Sequence, residues 1–144
     1  MKKFNKVLII TGGILTLTGG IFHLGFWYFF HWEESLDVLD RLNQNMMLML
    51  NYCIAAFFFL LGIGVLRYRE MLLENSAGRY LMLTLGLVFL VRLVMEFILP
   101  NSSLILGGLL LMMTSCYILP LLFSKKRQNF PDLDLKNGSI FETC

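Results

Sequence analysis

Only two charged side chains interrupt the long apolar runs of this 144-residue chain, Arg92 and Glu96. They stand four apart, so on a helix they share a face. A guanidinium beside a carboxylate can hold an anion, hand on a proton, or neutralise its neighbour. An arginine at a bilayer centre costs about 2.5–3.5 kcal/mol on insertion scales, so such residues face protein or water and mark functional positions. Two more polar side chains, His23 and Asn51, lie within apolar runs. The imidazole is a proton site near neutral pH, and the amide both donates and accepts hydrogen bonds.

Counted depths bring these four together. At about 1.5 Å per residue, Arg92 lies roughly 18 Å from the inner end of its run, His23 and Glu96 roughly 24 Å, and Asn51 roughly 22 Å, in a core about 30 Å thick. All four fall in the outer half. Facing agrees: Gly12, Thr16, Gly19, Gly20, His23, Trp27 and His31 recur at steps of three and four. Small residues let helices approach closely, so this stripe turns His23 toward the bundle. Asn51, Ala55 and Gly62 share a face of the second run, and Gly107, Gly108, Thr114 and Ser115 give the fourth a small face.

The elements that must position these residues are four apolar runs, 7–30, 46–66, 80–99 and 104–123. Each is long enough to cross a bilayer as a helix, and their continuity rather than alternation excludes a barrel. The chain is 57% hydrophobic and 15% charged, against about 45–50% and 25% in a soluble domain. The pieces between the runs are too short to bury a core, which excludes a soluble enzyme. The expected fold is an all-α membrane protein: one up-down bundle of four transmembrane helices over residues 1–123, then a basic and polar tail, 124–144, expected to be disordered. Lys2, Lys3 and Lys6 resemble the head of a secretory signal, but the apolar run continues through Phe22, Leu24, Trp27 and Phe30, so it is read as a retained helix.

Basic residues set the expected orientation. With four alternating helices, Lys2, Lys3, Lys6, Arg67, Arg69, Arg79, Lys125, Lys126, Arg127 and Lys136 share one side, while the other holds Arg41 beside Glu33, Glu34, Asp37 and Asp40. Both termini are therefore expected in the cytoplasm, in a plasma membrane of the bacterial inner-membrane type. The basic rim suits the anionic lipid bilayer and needs no nucleic acid. On the far side, Trp32, Leu36, Leu39, Leu42 and Met46 suggest a short amphipathic helix in the interface, within 31–45. Helix two is expected to run on through Met71, Leu72 and Leu73, with Asn75 or Ser76 capping the third helix, and Pro100, Asn101, Ser102 and Ser103 to close a tight hairpin.

Other motifs are sparse. His23 and His31 are the only histidines, so no facing pair exists for a bis-histidine haem within one chain. Cys53, Cys116 and Cys144 include no C-x-x-C pair, Met46, Met47 and Met49 read as packing, and phosphate-loop and hydrolase motifs are absent. No metal, catalytic residue or cofactor class follows. The sequence reading is a polar pocket built by His23, Asn51, Arg92 and Glu96, binding or transporting a small anionic or amphipathic molecule. The structural alternative is an accessory membrane subunit in which Arg92 and Glu96 merely neutralise each other and fix packing. Arg92 or Glu96 facing a second copy or a partner membrane protein, and an enzyme acting on lipid or quinone, are the other readings.

Overall fold

Side-chain caps decide where the long helices begin. Asp40 accepts from the Asn43 amide at 3.2 Å, Asn75 from Gly78 at 2.6 Å and Ser103 from Leu106 at 3.4 Å. Each cap satisfies one of the first-turn amides that a helix leaves unpaired, worth about 1 kcal/mol. The computed structural model describes residues 3–99 and 103–124. Among these it is all-helical: α1 (Lys3–Leu24), α2 (Phe26–Phe29), α3 (Trp32–Leu36), α4 (Arg41–Arg67), α5 (Ser76–Ile98) and α6 (Leu104–Phe123), with a 3-10 turn at Met71–Leu73. The tail beyond Ser124 and the turn residues Pro100, Asn101 and Ser102 lie outside the described residues.

Three expectations need correction. The first run is not one helix to Phe30: α1 stops at Leu24, where the Gly25 amide bonds both Ile21 and Phe22 carbonyls, at 3.1 and 3.0 Å. The Phe29 ring packs over Gly25, where a Cβ would collide with it. His31, with φ 48°, turns it again in the left-handed region, which disfavours side chains. The stripe expected within 31–45 is likewise divided between α3 and α4 by Asp40, whose extended backbone starts the next helix. Leu36 is 3% exposed but Leu42 is 68% exposed, so they do not share one face. Finally, α4 ends at Arg67 rather than continuing through Leu73, and the 3-10 turn tucks Leu72 against Gly78, where a Cβ would strike Leu72 backbone.

Packing follows the glycines. Helix α1 lies between α4 and α6, and α5 packs beside α6. A Cβ on Gly62 would sit 3.1 Å from the Gly13 carbonyl, and one on Gly20 3.3 Å from the Ala55 carbonyl, so the α1 and α4 backbones touch. In lipid, association relies on such close packing and on interhelical hydrogen bonds rather than on the hydrophobic effect. One buried bond supplies the latter. The Thr16 hydroxyl donates to the Gly12 carbonyl at 2.9 Å and therefore accepts from the Tyr117 hydroxyl at 2.7 Å, tying α1 to α6. Phe89 of α5 stacks on Tyr117 at 5.8 Å and meets Phe58 of α4 at 5.8 Å, closing the middle of the bundle.

The outside is as apolar as the core. Leu60, Leu104 and Ile105 are 73%, 81% and 80% exposed. Helices α1, α4, α5 and α6 are each long and apolar enough to cross a membrane. That combination is the pattern of a small multi-pass membrane protein. Lys6, Arg67, Arg69, Glu70 and Arg79 mark one end of the bundle, the basic end, with Lys6 and Glu70 paired at 3.0 Å. The opposite, distal end carries α2 and α3.

Candidate functional site

His23, in the last turn of α1, meets Asn51 of α4 twice. Its Nδ1 lies 2.8 Å from Asn51 Oδ1, and Asn51 Nδ2 donates to the His23 main-chain carbonyl at 2.7 Å. Asn51 is 7% exposed and lies on the buried face of α4 with Ala55 and Gly62. The imidazole is half-buried, stacked on Phe26 at 4.4 Å and met edge-on by Phe58 at 5.4 Å. Because the amide nitrogen is committed to a carbonyl, the amide oxygen must face the ring.

Arg92 and Glu96 form the second pair. Arg92 Nη1 donates to Glu96 Oε2 at 2.9 Å, along one face of α5. The other carboxylate oxygen, Oε1, accepts the Ser103 amide at 2.9 Å, so Glu96 also ties the end of α5 to the start of α6. The two partners differ in setting: the Arg92 side chain is 48% exposed and that of Glu96 10%. One guanidinium nitrogen is thus anchored, while the remaining donors have no partner among the described residues and the side chain is half exposed. In a low-dielectric surrounding such donors attract a phosphate, carboxylate or sulfonate oxygen, to which a guanidinium bonds with charge assistance.

No hydrogen bond or ion pair among the described residues joins one pair to the other. Their heights nevertheless agree. Counting about 1.5 Å per residue from the contact between Phe58 and Phe89, Asn51 and Glu96 each lie about 10 Å toward the distal end. Two shallow, open concavities lie elsewhere, at the basic end: about 390 Å³ lined by Ile63, Leu66, Arg67 and Arg69, and about 240 Å³ lined by Arg67 through Met71. Among the described residues, no three His, Cys, Asp or Glu side chains gather to hold a metal ion. Sequence reasoning missed three partners: the Ser103 amide and the rings of Phe26 and Phe58. Ser103 was open to discovery as a helix-capping type directly before the fourth run, seven residues beyond Glu96, whereas the rings carry no signal that separates them from ordinary apolar packing. Compared with protein-family models, curated proteins and solved structures, the chain matches none.

Proposed function

We propose that this is a small plasma-membrane protein, its termini cytoplasmic, that binds the anionic group of an amphipathic molecule in the outer half of the bilayer, with Arg92 as the contact. One observation carries this reading: a guanidinium anchored to Glu96 on one side and unpartnered on the rest, on a face of α5 where apolar side chains otherwise stand exposed. Glu96 orients Arg92 and neutralises it while the site is empty. The ligand's apolar body then lies along the exposed Val88, Val91 and Met95 beside it. Access is lateral, from the lipid. His23 and Asn51, at a similar height, hold α1 against α4 and contribute polar contacts to the same layer.

The experiment is retention. Protein purified in a mild detergent and mixed with lauric acid or its uncharged glycerol ester is examined by native mass spectrometry, alongside Arg92→Gln and Glu96→Gln. Acid-selective retention that Arg92→Gln abolishes supports the reading, and equal retention in folded variants sinks it. A second reading has its own observation. The Glu96 bond to Ser103 gives that carboxylate a structural task in the α5 and α6 hairpin, as expected of an accessory subunit without a ligand. On that reading, Arg92 and Glu96 only neutralise each other and fix helix packing.

A further inference from the structure

The bond pattern at His23 fixes which ring nitrogen carries the proton. Asn51 Nδ2 must donate, and it does so to the His23 carbonyl at 2.7 Å; Asn51 Oδ1 can only accept, and it faces His23 Nδ1 at 2.8 Å. Nδ1 therefore bears the hydrogen, and in the neutral ring Nε2 is a bare lone pair. That atom has no hydrogen-bond partner among the described residues, and it is not sealed in: the buried polar atoms without partners are Asn5 Oδ1, Arg69 Nε and Thr114 Oγ1. Around it stand aromatic rings, with Phe26 stacked on the imidazole at 4.4 Å and Phe58 edge-on at 5.4 Å.

An acceptor without a donor, set among rings at the distal end of a membrane-spanning helix, suits one kind of ligand. The molecule must bring an O–H, must partition into hydrocarbon, and gains from a flat ring that packs against the aromatic side chains beside the imidazole. A bare metal ion lacks further ligands among the described residues. We infer that His23 Nε2 accepts a hydrogen bond from the ring hydroxyl of a membrane-soluble quinol, and that Asn51, by holding the proton on Nδ1, makes the site selective for the reduced form. The oxidised quinone offers only carbonyl oxygens. It would place acceptor against acceptor, whereas the quinol hydroxyl completes the bond. No electron transfer is involved, only binding. The inference does not depend on Arg92, since the pairs sit on different helices and bind different chemistry.

The test uses the two tryptophans of the chain as reporters. Trp32 lies 5.5 Å from Phe26, and Trp27 follows Phe26 directly. The full chain in phosphatidylcholine nanodiscs at about pH 8 is titrated with a short-chain benzoquinol under reductant and with the matching quinone, following tryptophan emission. The quinol should bind about tenfold more tightly, the ratio expected when one buried acceptor gains or loses its donor. In His23→Gln, whose amide also donates, and in Asn51→Leu, which frees the ring to hold its proton on Nε2, the ratio should fall to near one. Equal affinity for the two forms in the wild type, binding of neither, or an unchanged ratio in folded variants overturns the inference. If both variants fail to fold, the wild-type ratio decides together with the ¹⁵N spectrum of the histidine ring, where a proton on Nε2 rather than Nδ1 contradicts it.

Discussion

One side chain of α4 reads both the backbone and the ring of a single residue of α1: Asn51 donates to the His23 carbonyl at 2.7 Å and binds its Nδ1 at 2.8 Å. No aliphatic residue can do either. Asn51→Leu should destabilise the bundle by about 1–2 kcal/mol, the range for interhelical polar contacts in membranes. Reversible unfolding in mixed micelles measures it. Asn51→Asp should cost at least as much, because an ionised carboxylate would set an acceptor against the His23 carbonyl in a buried position.

Gly62 and Gly64 stand two apart on α4 and should respond in opposite ways. A Cβ on Gly62 meets Leu17 and stands 3.1 Å from the Gly13 carbonyl, whereas one on Gly64 meets nothing within 4 Å. Gly62→Val should therefore cost about 1–3 kcal/mol by forcing α1 and α4 apart. Gly64→Ala should be neutral or stabilise by up to about 1 kcal/mol through helix propensity. The same unfolding assay ranks them.

Tyr117 is fully buried, bonded to Thr16 and stacked on Phe89. Tyr117→Phe keeps the stack and loses a hydroxyl whose partner still donates to Gly12, so the expected cost is about 1 kcal/mol. Tyr117→Ala also opens a cavity between α1, α5 and α6, at about 3–5 kcal/mol. Similar losses in the two variants would show that the hydroxyl, not the ring, holds the centre of the bundle.

How much of this was legible beforehand can be judged residue by residue. Four apolar runs declare four membrane-length helices, and Asn75 was readable as a cap because its amide side chain precedes Ser76 at the start of an apolar stretch. The break at Gly25 was not readable, because phenylalanines continue on both sides of it and hydropathy alone cannot register a bend. At the candidate site, depth and spacing put His23, Asn51, Arg92 and Glu96 in one layer, but pairing depends on rotation about each helix axis. A hydropathy run with apolar residues on every face leaves that rotation undetermined. Arg92 and Glu96 were readable as neighbours from their spacing of four, whereas the pairing of His23 with Asn51 comes from the structure, and the bond from Ser103 to Glu96 emerges only from the folded hairpin.

Glu96 makes the amide of Ser103 a sensitive reporter. Glu96→Gln retains an acceptor for that amide and loses only the charge facing Arg92, whereas Glu96→Leu removes both. Amide exchange at Ser103 should quicken by about an order of magnitude in the leucine variant and much less in the glutamine one. Equal exchange in wild type and Glu96→Leu would show that the Ser103 amide is satisfied by another group.

At the basic end, Glu70 should titrate below ordinary carboxylates. The hydrogen bond from Lys6 is the main cause, followed by the Lys6 charge, with Arg69 adding to it. A lowered folded value means that the pair stabilises the protein above the unfolded carboxylate range, and that this contribution is lost as pH falls through the folded value. Both side chains are largely exposed, so the effect on stability is slight and screened by salt. Carbon-detected titration of Glu70 should show a midpoint below the ordinary glutamate range, and Lys6→Gln should raise it.

The most direct test concerns Arg92. Wild type, Arg92→Lys and Arg92→Gln in phosphatidylcholine nanodiscs are titrated with a spin-labelled fatty acid and with its uncharged methyl ester, reading immobilised label by electron spin resonance. Wild type should immobilise the acid about tenfold more strongly than the ester, Arg92→Lys should keep part of this preference, and Arg92→Gln should lose it. Equal immobilisation of acid and ester in the wild type, or an unchanged preference in folded Arg92→Gln, would contradict the anion-binding role of Arg92.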